Sequence, residues 1–144
     1  MIHCQHKVQF YETDQMGIVH HSNYIRWFEE VRTHYLEEIK LPYQELEQLG
    51  FGIPVLGVEA TYLRMVKFSD VVTVEMFVKE YNGIKMTIGY RLTTDRTGMV
   101  HCTGETKHCF LTHDGKPVSV KKDFPQIHAR FLEAQAQIEE KRTK

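Results

Sequence analysis

Residues 22–39 read SNYIRWFEEVRTHYLEEI, and their spacing decides the fold. Tyr24, Trp27, Phe28, Val31, Tyr35 and Ile39 recur at helical intervals and make one apolar face. Glu29, Glu30, Arg32, Glu37 and Lys40 fill the other side. Ser22 and Asn23 are both good caps for the start of this helix. Pro42 ends it, and Tyr43–Leu49 offers one more short helical piece before Gly50.

On the N-terminal side, residues 7–12 (KVQFYE) alternate well enough for a short strand, and residues 13–22 form a loop containing Gly17. After Gly52 the period changes. Residues 53–64 and 71–80 read as strands, and Asn82-Gly83 is a strong two-residue hairpin signal. Ile84, Met86, Ile88, Tyr90 and Leu92 then alternate with Lys85, Thr87, Gly89, Arg91 and Thr93, giving a strand with one buried face. Residues 95–98 make the next turn, residues 99–112 the next strand, and Asp114-Gly115 closes it. Residues 122–142 look helical and turn polar toward the end, where fraying is expected. The order is strand, long helix, then four strands joined by tight turns, which force antiparallel pairing. Such a sheet needs cover on one face, and only the 22–39 helix has the apolar area to supply it. The α+β arrangement predicted is a curved antiparallel sheet wrapped around one long central helix, the hotdog fold, as a single domain over residues 1–144.

Composition narrows the function classes. The 144 residues, 42% hydrophobic, suit one domain with a real core and leave no room for two. A formal net charge of -1 gives no global pull toward nucleic acid or an anionic membrane. Residues 1–10 (MIHCQHKVQF) lack a signal-peptide pattern, and no apolar stretch approaches the roughly 20 residues of a membrane span. A cytosolic address follows by default. Cys4, Cys102 and Cys109 are odd in number and lack framework spacing, so reduced thiols are expected. The groups around His3, Cys4 and His6, and around His101, Cys102, His108 and Cys109, lack CxxC or HExxH spacing. No metal is expected.

Chemistry concentrates in residues 11–24, YETDQMGIVHHSNY. Asp14 sits where a strand is expected to give way to a loop, and Gly17 permits a tight or left-handed backbone there. The helix then begins, so free N–H groups are expected to point into the same loop. A carboxylate beside such donors can attack a carbonyl or activate water, while the donors stabilise an oxyanion. His20 and His21 follow closely, and either could reach the site for proton transfer. Taken only as residue types, Asp14 also fits a turn residue, the histidines polar surface, and the Tyr24–Trp27–Phe28 stripe plain core.

The stretch YETDQMGIVHHSNYIRWFEEVRTHYL closely resembles the signature of the 4-hydroxybenzoyl-CoA thioesterase-like hotdog family, in particular its YbgC-like branch. That signature is a strand ending in Thr-Asp, a Gly-Ile/Val-Val step, and a small residue, any residue, then Tyr opening the long helix. Tyr62, Arg64, Ser69 and Asp70 resemble the family's later Y-x-R and G/S-D pair. The likeness covers about residues 6–130. It implies hydrolysis of acyl-CoA thioesters, with Asp14 as the catalytic carboxylate, as nucleophile or general base. It implies a supporting role for His21, as an orienting group or a proton donor to the leaving thiolate. Backbone donors between Gly17 and Tyr24, Ser22 included, would act on the thioester carbonyl. The chain departs from the pattern at Phe10, where some members carry Tyr. It also has Ser69 where Gly is frequent, and Val66-Lys67 in place of Pro-Ala.

No cofactor is implied, because CoA is part of the substrate and a thioester is already activated. Arg64 and Lys67 are the candidates for meeting CoA's phosphates. One open sheet leaves unpaired edges, and family members resemble each other in pairing sheets edge to edge, so a homodimer or homotetramer is expected. Two other functions fit the same fold. A hotdog hydratase or dehydratase would show G-D-x-N-P-x-H, which TDQMGIVHH does not match. A non-catalytic acyl-CoA-binding module would have no use for a carboxylate at Asp14.

Overall fold

The computed structural model describes residues 2–143, with side chains described through residue 136. Twelve short elements follow one another: β1 (Ile2–Lys7), a 3-10 turn (Phe10–Glu12), α1 (Ser22–Glu38), α2 (Tyr43–Leu49), β2 (Phe51–Gly52), β3 (Val55–Tyr62), β4 (Val71–Tyr81), β5 (Lys85–Thr94), β6 (Val100–Cys109), β7 (Leu111–Thr112), α3 (Val120–Asp123) and α4 (Pro125–Thr143). Five strands form one antiparallel sheet in the order β1-β4-β5-β6-β3, and β2 pairs with β7 apart from it. The α1 helix lies on one face of this sheet, as the hotdog arrangement requires. Its Tyr24, Trp27, Phe28, Val31 and Tyr35 are buried with Val72, Val74, Met76, Met86, Ile88, Tyr90 and Leu92 from the strands. Gly104 on β6 shows how close the helix comes. A Cβ there would lie 2.5 Å from the Phe28 ring, which stacks on Tyr90 at 4.2 Å between centroids.

Several elements differ from the sequence expectation. The four later strands are not a meander. β3 crosses to the far edge and pairs with β6, and residues 63–70 carry the chain back to β4. Sequence periodicity marks strands but not which neighbour each one takes. The hairpin at Asn82-Gly83 spans Asn82–Ile84. Gly83 alone has positive φ (89°), and the Asn82 side chain accepts from the amides of Ile84 and Lys85. Ile84 is therefore exposed rather than part of the buried face. The strand expected over 99–112 breaks at Phe110, whose buried ring turns toward Phe51 and Phe131. The C-terminal helix is two helices separated at Phe124, beginning at Val120. The end where fraying was expected is helical through Thr143.

The largest displacement is at the N-terminus. The first strand is Ile2–Lys7, not residues 7–12, and Phe10–Glu12 curl into the 3-10 turn. Glu12 explains this. Its carboxylate accepts hydrogen bonds from the Gln9 amide (2.7 Å), from His6 Nε2 (2.7 Å) and from the buried Trp27 Nε1 (3.1 Å). Its carbonyl accepts from the His20 amide (2.9 Å) and from Asn23 Nδ2 (2.8 Å). A strand continuing through Glu12 could not aim this one residue at β1, the returning loop and α1 together.

The loop of residues 63–70 is held in a similar way by Asp70. Its carboxylate accepts from the Lys67 amide (2.9 Å) and from Arg96 Nε (2.8 Å) and Nη2 (3.1 Å). Burial pushes the Asp70 carboxyl up, but the hydrogen bonds from Arg96 and the Lys67 amide, with the Arg96 charge, outweigh it and hold the group below the usual carboxylate range. Ser69 just before it stands at φ 69°, in the left-handed region where a side chain is strained. That is the physical reason a glycine suits this position.

Two stability changes follow. Glu12→Gln puts an amide NH2 among donors that need acceptors and should cost about 1.5–3 kcal/mol in urea unfolding. An unchanged midpoint would mean the carboxylate does not hold this corner. Ser69→Gly should stabilise by roughly 0.5–1 kcal/mol, since relief of the left-handed strain exceeds the added chain entropy. A lower melting temperature would contradict that assignment.

Candidate active site

The loop between Glu12 and α1 is a small closed structure. The Asp14 amide donates to the Ile18 carbonyl (2.8 Å) and the Gly17 amide to the Asp14 carbonyl (3.1 Å). Gly17 takes φ 77°, which lets the chain reverse within four residues. Thr13 bridges Val19, and Ile18 bridges Lys67, so the loop is tied both to itself and to residues 63–70. Asp14 remains exposed, with Oδ1 accepting the Met16 amide at 2.8 Å. That bond fixes the carboxylate's direction as an Asx turn does and leaves Oδ2 for chemistry.

A cavity of about 330 Å³ opens beside it. Asp14, His20, His21 and Tyr24 line one wall, and residues 62–66 line the other. Tyr24 is buried, with its ring 4.8 Å from Tyr62 and 5.4 Å from Trp27. Burial pushes the Tyr24 hydroxyl well above its ordinary range, so it stays protonated. Tyr62 pairs across the ladder with Cys102, whose thiol burial pushes up to about 12. The cysteine nearest the cavity is thus a protonated thiol and no nucleophile. Arg64 lines the same wall and donates to the Val100 carbonyl at 2.6 Å, which holds its guanidinium at the rim.

The donors at the start of the helix are fewer than the sequence suggested. The amide of Val19 goes to Val66, that of His20 to Glu12, that of Asn23 to His20, and that of Tyr24 to His21. The Ser22 amide donates to His20 Nδ1 at 3.3 Å, which leaves the proton of a neutral His20 on Nε2. The His21 amide has no acceptor among the described residues and belongs to a residue that lines the cavity. His21, not Ser22 or Asn23, is the residue preceding the first helical turn, and Asn23 instead spends its side chain on Glu12. The His20 and His21 rings lie 4.2 Å apart.

Of the residues expected to form the site, Asp14, His21, Tyr24 and Arg64 come together around this cavity. Gly17 shapes the loop behind Asp14, and Ser22 is turned to the His20 ring, 2.9 Å away. Lys67 does not line the cavity. Its amide is taken by Asp70, and its side chain is exposed on the neighbouring loop. Glu12 escaped the sequence reading, although Gln9 three residues earlier forms a capping box with it. Among the described residues no three His, Cys, Asp or Glu side chains are grouped as a metal site.

The arrangement offers one oriented carboxylate, one free amide at a helix start, and imidazoles within the same cavity. That set suits attack on an acyl carbonyl. Comparison with known proteins agrees. Residues 8–134 match the family model described as the Thioesterase-like superfamily. The provisionally assigned acyl-CoA thioesterase YneP of Bacillus subtilis is 30% identical over 129 residues, covering 89% of this chain and 93% of that protein. The acyl-CoA thioesterase YbgC of Haemophilus influenzae is 29% identical over 120 residues, covering 81% and 86%. The crystal structure of the DHNA-CoA thioesterase from Staphylococcus aureus superposes with a TM-score of 0.89 at 26% identity, covering 96% of this chain and 93% of that one. A hotdog sheet around α1, a carboxylate loop at its start and a match over nearly the whole chain make this protein a member of the thioesterase-like superfamily.

Proposed function

We propose that the chain hydrolyses acyl-CoA thioesters to the free acid and CoA, with Asp14 as the catalytic carboxylate. The observation that carries this reading is the single cavity lined by Asp14 on its loop and by His21 at the mouth of α1. The thioester carbonyl accepts the His21 amide, which stabilises the oxyanion as it forms. Asp14 Oδ2 either attacks the carbonyl carbon, giving an acyl-enzyme that water then cleaves, or takes a proton from the attacking water. In both routes the C–S bond breaks and CoA leaves as a thiolate, and the proton it takes up through the His21 imidazole is replaced by the one the attacking water loses. A thiolate is a good leaving group, so this last step needs the least help. No metal or cofactor enters, because the thioester is already activated.

Our candidate for meeting a phosphate of CoA is Arg64, which lines the cavity, with Lys67 on the same loop; the support for it is the position of Arg64 on that wall. The proposed setting is the cytosol, where Cys4, Cys102 and Cys109 would stay reduced; among the described residues no helix is long and apolar enough to cross a membrane. The proposed assembly is a homodimer joined through β3. This edge strand exposes Val55, Leu56, Val58 and Tyr62 and has a partner on one side only, which is the kind of edge a second copy covers.

Asp14→Asn keeps the Asx turn, because the amide oxygen can still accept from Met16. Thermal stability should therefore hold while kcat falls by at least about 10²-fold in a thiol-release assay. His21→Ala keeps the backbone donor and should cost less. A folded Asp14→Asn variant with near-normal hydrolysis would remove Asp14 from the mechanism. For the assembly, light scattering at micromolar concentration should give twice the 17.0 kDa chain mass or more. A monomer there would rule out the β3 pairing.

A further inference from the structure

A second polar cluster lies along the far half of α1. Arg32 Nη1 donates to the Tyr90 hydroxyl at 3.0 Å. The Tyr90 hydroxyl lies 2.6 Å from Thr106 Oγ1, and Thr106 Oγ1 lies 2.7 Å from His108 Nε2. A guanidinium only donates, so Tyr90 is free to give its proton to Thr106 and Thr106 to give its own to His108. With the hydrogen bonds in that order, Nε2 is the acceptor, and a neutral His108 carries its proton on Nδ1. Burial, reinforced by the Arg32 charge, draws the His108 pKa down to about 4, against a smaller pull from the carbonyls of Pro54 and Ile53, which keeps the ring neutral near pH 7.

His108 is 1% exposed and Tyr35 is 2% exposed, yet no hydrogen bond of good geometry satisfies His108 Nδ1 or the Tyr35 hydroxyl, the Pro54 and Ile53 carbonyls lying near the His108 ring without making one. Buried polar groups in native structures are nearly always satisfied, so two in one place call for an explanation. Both residues, with Arg32, line one cavity of about 60 Å³ whose remaining walls are apolar, Ile53, Met86 and Phe131 among them. That is room for about two waters at roughly 30 Å³ each, or for one carboxylate-sized group. The polar groups around it are a cation, an N–H and a hydroxyl. Such a set is matched by an oxygen acceptor, and best by an anionic one.

The position is as informative as the chemistry. Tyr24, Phe28, Arg32 and Tyr35 follow one stripe of α1. On the sheet, Tyr62 pairs with Cys102 at the Asp14 end of the β3–β6 ladder, and Val55 pairs with His108 at the other end. From Tyr24 to Tyr35 the helix rises about 16 Å, within the length of a medium acyl chain laid along it. We propose that this cavity receives the far end of the acyl group, and that Arg32, Tyr35 and His108 select acyl-CoA substrates whose chain ends in an oxygen acceptor, a carboxylate foremost. The inference rests on the acyl-CoA reading above and specifies its substrate class.

The test compares thiol release from octanoyl-, decanoyl- and dodecanoyl-CoA with release from their ω-carboxyl counterparts, alongside butyryl-CoA and benzoyl-CoA. At one chain length or more, the carboxyl-ended substrate should show kcat/KM about 10-fold higher or more, the scale of a hydrogen bond to a charged group. Tyr35→Phe removes a hydroxyl with no partner in the chain, so its melting temperature should match the wild type while the preference shrinks several-fold. Arg32→Met should abolish the preference for the carboxyl-ended chains over the methyl-ended ones. Release from methyl-ended chains with no preference at any length overturns the cavity assignment alone. A preference that survives both substitutions overturns it as well. No thiol release from any of these substrates defeats the acyl-CoA reading, and this inference with it.

Discussion

The hydrogen bonds gathered by Glu12 are the constraint on which the rest of the active-site corner depends. A carboxylate 5% exposed is costly to bury unless its oxygens are satisfied, and here three donors converge on it. Those donors come from β1, the 3-10 turn and α1, while the Glu12 carbonyl binds the returning loop and Asn23. Asp14 lies two residues further on. Its carboxylate can be exposed and still well oriented, because the chain on both sides is pinned to buried groups. The Asx turn with the Met16 amide fixes its aim.

A second constraint is the close seating of α1 on β6. The missing side chain of Gly104 admits the Phe28 ring, and Phe28 in turn stacks on Tyr90. This contact sets the height of the helix over the sheet. It also sets where the start of α1 meets residues 62–66 and where Arg32 reaches Tyr90. The two cavities at the ends of this stripe share one packing arrangement. A substitution that lifted the helix would disturb both.

Charges are used unevenly. Asp70 and Arg96 make a two-pronged bond with one partner buried, which locks residues 63–70 into the cavity wall. Lys79–Glu105 and Arg91–Glu75 lie in the open on the other face of the sheet and contribute little. In the core, the Arg32–Tyr90–Thr106–His108 chain places polar groups where apolar ones would pack more simply.

The sequence by itself determined the long amphipathic helix, because Tyr24, Trp27, Phe28, Val31 and Tyr35 repeat at the period of one element. It determined that strands follow, one of them the β5 strand with its alternating face, and that Asp14, Gly17 and His21 belong to the stretch leading into that helix, although a 3-10 turn stands where the preceding strand was expected. These are local properties, written in spacing. Which strand neighbours which was decided only by the tertiary structure, since β3 finds β6 across the whole sheet and nothing in its own residues names that partner. The same holds for Glu12 and Asn23, polar residues that read as loop or cap until Trp27 and His20 arrive beside them. It holds for the loss of helix-start donors to nearby carbonyls, which leaves the His21 amide alone. It holds also for His108 and Tyr35, whose unpaired atoms meet only because helix and sheet bring residues far apart in the chain to one cavity. Periodicity reports the face a residue presents, whereas hydrogen-bond partners distant in sequence exist only once the chain has packed.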